Sequence, residues 1–552
     1  MKRLVLLVFL ILIGLQTIHS QEKLSETEKL YATAKVWGFL KYYHPQVAKG
    51  KFNWDEQLFS ILPKVEKSNN KEELSLLLIA WIESLGEIKE IRSTNSNHLP
   101  DYFNKNFDLS WSQDSKYFNN ELSNKLKFIE ENRAQGKQYY VEVASYGNIR
   151  VRNEPEYLDK EYPDNYHRLL SLSRYWNIAE YFFPYKYQTD QNWDEVLIEM
   201  IPRFIDAENA VDYHVAMLET VIKLDDSHAM FNTSTIHEKF YGKKYLPIII
   251  RIIEGKVVIT DFRDSAYATK NDLHIGDIIE TIDNENALDR ISRINKYVHG
   301  SNESVKAKNY SFIFFNGFND VVNIDIRRNG ELITKELVRY DYTEDSFKPK
   351  ENTQEKYKVL ENNIGFINLG ELDGNDMKNI KEMMDILMPT KALIIDLRNY
   401  PRIHPYMLAR YFTKNDKDFI KIIKPDLSYP GKFVWEKAKK VRSNKNKYYI
   451  GKVIVLVNEE TQSSAEYSTM ILQVGDNVIT IGSQTSGADG DISKINFLGY
   501  RSYISGLGVF YPDGTETQRV GVKIDVVVKP TIKGIQEGRD EILEKALELI
   551  DQ

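Results

Sequence analysis

Apolar residues recur at helical spacing twice in the N-terminal third of the chain, roughly over 26–90 and 166–232. Each stretch carries an Asn-Trp-Asp-Glu tetrad, Asn53–Glu56 and Asn192–Glu195, of the kind that starts a helix. The polar, Asn-rich segment between them holds one helical stretch, Asn119–Asn132, and a hairpin pattern, Lys137–Glu154. From about 240 to 345 the pattern shortens to strands: Leu246–Ile253, Lys256–Phe262, Asp277–Asp283 and Val321–Ile333. From about 355 to 550, apolar runs of strand length (Asn363–Leu369, Ala392–Arg398, Val453–Asn458, Val478–Gly482) alternate with helical stretches. That is the pattern of a sheet covered by helices. Arg539–Ile550 reads as an amphipathic helix. At 552 residues the chain is too long for one core. It is expected to be a multidomain α+β protein divided at 21–160, 161–235, 236–350 and 351–552.

The two helical stretches are copies of one unit. Trp37, Tyr42, Pro45, Asn53–Glu56, Leu58, Pro63 and Leu85 recur as Trp176, Tyr181, Pro184, Asn192–Glu195, Leu197, Pro202 and Leu224, all offset by 139 residues without a gap. The copies part at their tips. The second ends Asp225-Asp226-Ser227-His228, where the first has Gly86-Glu87-Ile88-Lys89. Chemistry carried by this tip belongs to the second copy alone.

Composition narrows the classes. The chain is 42% hydrophobic and 12% aromatic, hence globular. Its formal net charge is −7, without a basic stripe, which excludes a nucleic-acid binder. It has no cysteine, so disulfides, thiolate metal sites and a cysteine nucleophile are excluded. The ten histidines show no metal-ligand spacing, and neither a phosphate loop nor a dinucleotide fingerprint is present. No cofactor is implied. Lys2-Arg3, the apolar run Leu4–Leu15 and Ile18-His19-Ser20 read as an export leader cleaved before Gln21. The run is about a dozen residues, against the ~20 that a spanning helix needs. An uncleaved anchor is the alternative. Exported and cysteine-free, the chain fits a bacterial periplasm or cell surface.

The candidate chemistry sits at Thr461–Tyr467. This segment follows the strand pattern Lys452–Asn458 and opens an apolar helix. A serine at a strand-to-helix turn is presented at the positive end of a helix, as hydrolytic serines are. An ordinary helix cap has the same signature. His228 lies in a dense polar tip and is a candidate base.

In this order the motifs resemble the tricorn-type branch of the C-terminal-processing serine peptidases. The resemblance covers about 166–550. It rests on Ser227-His228, a PDZ-like stretch over 240–345, Asp396-Leu397-Arg398, Ser463–Glu466, Gly482–Gly487, Asp513-Gly514-Thr515 and Gly521-Val522. It implies a PDZ-like β-rich domain, a crotonase-like ββα catalytic core and polypeptide substrates. It implies Ser463 as nucleophile, with Ser464 the fallback, and the Ser464 N–H as oxyanion donor. His228 would be the base and Ser227 the residue orienting it. Gln518, with Glu516 two positions earlier, would stand where the family places a further acid. Two departures accompany it. Ala488 stands where the Ser–Lys branch has its lysine, which favours a histidine base. The Gly-rich oxyanion loop is replaced by Asn399-Tyr400-Pro401, and Pro401 has no N–H. The rival readings are a weak or inactive peptide-binding protein on this scaffold and a hydrolase of non-peptide esters or amides.

Overall fold

The structure is a computed structural model in which residues 23–91, 100–158, 161–341, 343, 355–444 and 447–552 are described. The expected leader lies outside the described residues. Helices α1 (Glu26–Tyr43), α2 (Trp54–Lys67) and α3 (Lys71–Ser84) form the first copy of the repeat. Helix α4 (Asn120–Glu131) and the hairpin of β1 (Val141–Val143) and β2 (Ile149–Val151) follow. Helices α5 (Asn165–Phe182), α6 (Trp193–Ile205) and α7 (Ala210–Ile222) form the second copy. Asn53 and Asn192 cap α2 and α6, accepting from the N–H groups of Glu56 and Asp194, as the tetrads predict.

The repeat is built the same way twice. Trp37 Nε1 donates to the Trp54 carbonyl (3.0 Å) and Trp54 Nε1 returns a bond to Trp37 (3.1 Å). Trp176 and Trp193 make the same exchange at 2.7 and 3.1 Å. The copies also exchange charges. Lys35 of α1 pairs with Asp194 of the second copy, and its counterpart Arg174 pairs with Asp55 of the first. Helices α1 and α5 cross at Gly38, where any Cβ would collide with Asn177. Both helices are buried on nearly every face, so neither shows one apolar stripe.

Strands β3 (Ile248–Ile253), β4 (Lys256–Phe262), β5 (Ile278–Ile282), β6 (Val321–Arg328) and β7 (Glu331–Val338) form an antiparallel sheet ordered β7-β6-β5-β4-β3. Helices α8 (Ala287–Ile294) and α9 (Glu303–Asn309) lie between β5 and β6 in the chain. On the edge strand β3, Ser311 Oγ accepts from Ile250 N–H (2.9 Å) and donates to its carbonyl (2.8 Å).

The C-terminal part is layered. Strands β8 (Tyr357–Leu360), β9 (Ile364–Asn368), β10 (Ala392–Asp396), β12 (Lys452–Val457), β13 (Val478–Gly482) and β17 (Val526–Val527) form a sheet in that order. It is parallel except for β8. Helices α10 (Ile380–Leu387) and α11 (Ser464–Leu472) cover one face, and α12 (Glu541–Asp551) covers the other. Strands β11 (Lys417–Pro425), β14 (Ile492–Phe497), β15 (Tyr500–Ser505) and β16 (Gly508–Phe510) project towards the helical repeats. Ile423, Ile495, Phe497, Ile504 and Phe510 join the repeat aromatics in one apolar cluster.

Two histidines inside the helical part are held neutral. Burial lowers both His44 and His214 from 6.5 to about 4. An unfolded histidine titrates near 6.5, so between pH 6.5 and 4 the unfolded chain binds more protons than the folded one. Stability is therefore present above about pH 6.5 and falls as the pH drops towards 4, by up to roughly 3 kcal/mol per histidine. Urea melts at pH 7 and pH 4.5 should show this loss, and His44→Gln with His214→Gln should reduce it.

Candidate active site

Strand β12 is apolar and fully buried from Val453 to Val457, then ends in a turn. Asn458 Oδ1 accepts from Glu460 N–H at 3.0 Å, and Thr461 Oγ1 donates to the Leu397 carbonyl at 2.9 Å. The second bond sets the Asp396-Leu397-Arg398 loop beside the turn. Ser463 follows at φ 54°, ψ −114°, a backbone strained for any residue with a Cβ. Its N–H is held by the Ala488 carbonyl (3.0 Å) and Glu466 Oε2 (3.2 Å). Ser464 begins α11, and its N–H has no acceptor among the described residues.

Glu466 is the buried anchor of this turn. It also accepts from Thr485 Oγ1 (2.6 Å), Gly487 N–H (2.8 Å) and Ala488 N–H (3.0 Å). Burial pushes its carboxyl up, and these donors pull the other way. Ala488 is wholly buried and supports the turn through its backbone, so the position of a Ser–Lys lysine is a structural one here.

The second-copy tip carries His228, which is 6% exposed. Its Nδ1 lies 2.8 Å from Ser505 Oγ. Behind it, Asp226 Oδ1 accepts from Ser505 Oγ (3.0 Å), His228 N–H (3.1 Å) and Gln518 Nε2 (3.3 Å), and Oδ2 accepts from Ser505 N–H (2.7 Å). His228 Nε2 is buried and has no hydrogen-bond partner. Burial lowers the His228 imidazole, with Asp226 and Asp491 acting in the opposite direction.

Two expected residues stand elsewhere. Ser227 does not orient His228. Its Oγ is bonded to Ser301 (3.0 Å) and the Ser486 carbonyl (3.3 Å), because the chain turns and sends successive side chains apart. Glu516 is not behind the histidine either. It binds Lys105, Tyr187 and Gln188, on the side facing the N-terminal segment. Gln518 does reach the site, but through Asp226. Asp226 was visible in the tip motif. Ser505 was not, since nothing in the local pattern of Tyr500–Ser505 marks it.

One loop ties the two halves together. Ser486 holds Ser227, and Ala488, two residues on, holds Ser463. No hydrogen bond joins Ser463 to His228 directly among the described residues. A serine–histidine bond commonly tightens only with substrate in place. Pro401 is buried in the loop after β10 and offers no N–H. A cavity of about 730 Å³ lies nearby, lined by residues that include Asp396, Arg398, Asn458 and Asp540, but not by Ser463 or His228. Its Arg398 is neutralised by Asp396 and Asp540. Among the described residues no cluster of three or more His, Asp or Glu is placed to hold a metal ion, and no helix is long and apolar enough to cross a membrane.

No curated protein sequence matches the chain. The fold is similar to that of mature CPAF, with a TM-score of 0.57 at 13% identity, over 70% of this chain and 97% of that one. The mature CPAF complexed with lactacystin gives 0.56 at 14% identity, over 70% and 98%. At such identities the likeness is one of fold. Residues 363–528, which hold the Ser463 turn, its supporting loop and Gln518, match the model of peptidase family S41. Over this segment the chain is similar to peptidase family S41, which supports a serine-type peptidase.

Proposed function

We propose that the protein cleaves unfolded or tail-exposed polypeptides through an acyl-enzyme on Ser463, with His228 as general base. The observation that carries this is the Ser463 backbone. A side chain held at positive φ on the first turn of a helix is strain that its surroundings maintain, and such strain gathers at functional positions. The Ser463 hydroxyl attacks the scissile carbonyl and His228 Nε2 takes its proton. The Ser464 N–H, at the positive end of α11, faces the developing oxyanion. His228 then returns the proton to the leaving amine, and water repeats the cycle on the ester. The Asp-Leu-Arg loop contributes no N–H at Pro401, so turnover is slow for a serine peptidase.

The β3–β7 insert, read as PDZ-like, is proposed to present the polypeptide. Strand addition at Ile250 then requires Ser311 to withdraw. We also propose export, on the leader pattern Lys2–Ser20, with a mature chain starting at Gln21.

The test is digestion of an unfolded model protein by residues 21–552, with products read by mass spectrometry, alongside labelling by a fluorophosphonate. Adduct mass on the peptide containing Ser463, together with cleavage, supports the proposal. A folded protein that neither labels nor cleaves defeats it.

A further inference from the structure

Asp226 and Gln518 meet behind His228 as a carboxylate and an amide, the reverse of what the resemblance implies for these two positions. The family position for an acid holds the amide Gln518, and the carboxylate comes from the tip itself, two residues before the histidine. We propose that Asp226, acting through Ser505, is the acid that positions His228, and that Gln518 is the amide this relocation requires. This rests on the assignment of Ser463 and His228 as nucleophile and base.

The hydrogen-bond pattern fixes the protons. Asp226 can only accept when ionised. The Ser505 hydroxyl has one hydrogen, and it points to Asp226 Oδ1 at 3.0 Å. Towards His228 Nδ1, at 2.8 Å, Ser505 is therefore the acceptor, and Nδ1 must carry the ring proton. That leaves the lone pair on Nε2, the nitrogen with no hydrogen-bond partner. When Nε2 takes the Ser463 proton, the imidazolium charge is met by Asp226 across one hydroxyl, and no proton need pass to the carboxylate. Asp226 and His228 are fixed to each other by the His228 N–H bond to Oδ1 as well.

The same logic explains the amide. Asp226 is wholly buried and receives four donors, of which Gln518 Nε2 is one. Turning the amide over would set Gln518 Oε1 against Asp226 Oδ1, acceptor against acceptor. A glutamate at 518 would set two carboxylates in one dry site, where they cannot both ionise. Asp at 226 and Gln at 518 are thus one choice, and Asn at 226 cannot replace the acid, because each oxygen position faces a backbone N–H, of His228 or of Ser505.

The experiment uses the full mature chain, with Asp226→Asn, Gln518→Glu and Ser505→Ala. The readouts are thermal melts, the fluorophosphonate labelling rate of Ser463, and kcat/KM against pH on a peptide cut by the wild type. The other groups facing His228 are Asp491, before β14, and His299, from the β-rich insert, and these stay constant. Asp226→Asn should lower kcat/KM by about 10²- to 10⁴-fold and move its acidic limb to lower pH, since an anion that favours imidazolium is gone. Gln518→Glu should also lose activity. Ser505→Ala, which removes only a hydroxyl, should cost at least tenfold and serves if Asp226→Asn fails to fold. Asp226→Asn within threefold of wild type with an unmoved limb, or an unaffected Ser505→Ala, would each overturn the relay. A wild type that neither labels at Ser463 nor cleaves would instead remove the nucleophile and base on which it rests, and the relay with them.

Discussion

Ser463→Ala is expected to lower kcat/KM by at least ~10⁴-fold, and His228→Ala by a similar factor, with the double variant no worse than either alone. The two residues act as one device, because a nucleophile without its base, or a base without its nucleophile, leaves only binding and the oxyanion donor. The protein should stay folded in both. Ser463 lies on a half-buried turn held by its backbone N–H, which alanine keeps. Loss of a helix-capping oxygen costs at most ~2 kcal/mol. Activity should therefore fall without a matching drop in melting temperature. Single-turnover kinetics on the peptide identified by mass spectrometry would check this. Additive losses would mean that the serine and the histidine serve separate ends.

Asp55→Ala is expected to destabilise the helical part by about 3 kcal/mol, because it removes the carboxylate hydrogen-bonded to buried Arg174 and leaves Glu154, 3.8 Å away and shared with Lys41, to face it. Arg174 is 1% exposed at its side chain and stands near a second buried cation, Lys41, which is paired with Glu154. An arginine cannot shed its charge at any ordinary pH. The pseudo-symmetric change Asp194→Ala should cost less. It strands Lys35, whose pKa burial already lowers, and a lysine can give up its proton. Urea denaturation of both variants at pH 7 decides the matter. Equal losses would show that the difference between guanidinium and amine plays no part.

Much of this was legible before the structure. The offset of the two copies, the Asn caps and the apolar strands are local signals, and each maps onto an element. The Ser463 turn was legible for the same reason: a strand, a Ser-Ser pair and a helix are contiguous. The surroundings of His228 were not. Ser505 lies 277 residues from His228, and its role comes from tertiary packing of a hairpin that has no motif of its own. Ser227 misled because adjacency in sequence suggested adjacency to the ring, whereas a tight turn separates neighbouring side chains. Glu516, two residues before the aligned Gln518, does not share its place, because the backbone between them turns one inward and the other outward. The burial of α1 and α5 was also hidden. A helix at the centre of an assembly has no polar face to mark its inner one.

The apolar cluster that runs from the Trp pairs of the repeats into Phe497, Ile504 and Phe510 ties the two halves of the site into one cooperative body. His228 comes from the helical side of that cluster and Ser463 from the sheet side. A piece limited to residues 363–528 would keep the serine, lose the histidine and bare the aromatic faces that the repeats now cover. Heating should act in the same way: the site comes apart when this cluster melts, so thermal inactivation and the main unfolding transition should coincide. The unit that holds both Ser463 and His228 is thus larger than the segment that carries Ser463.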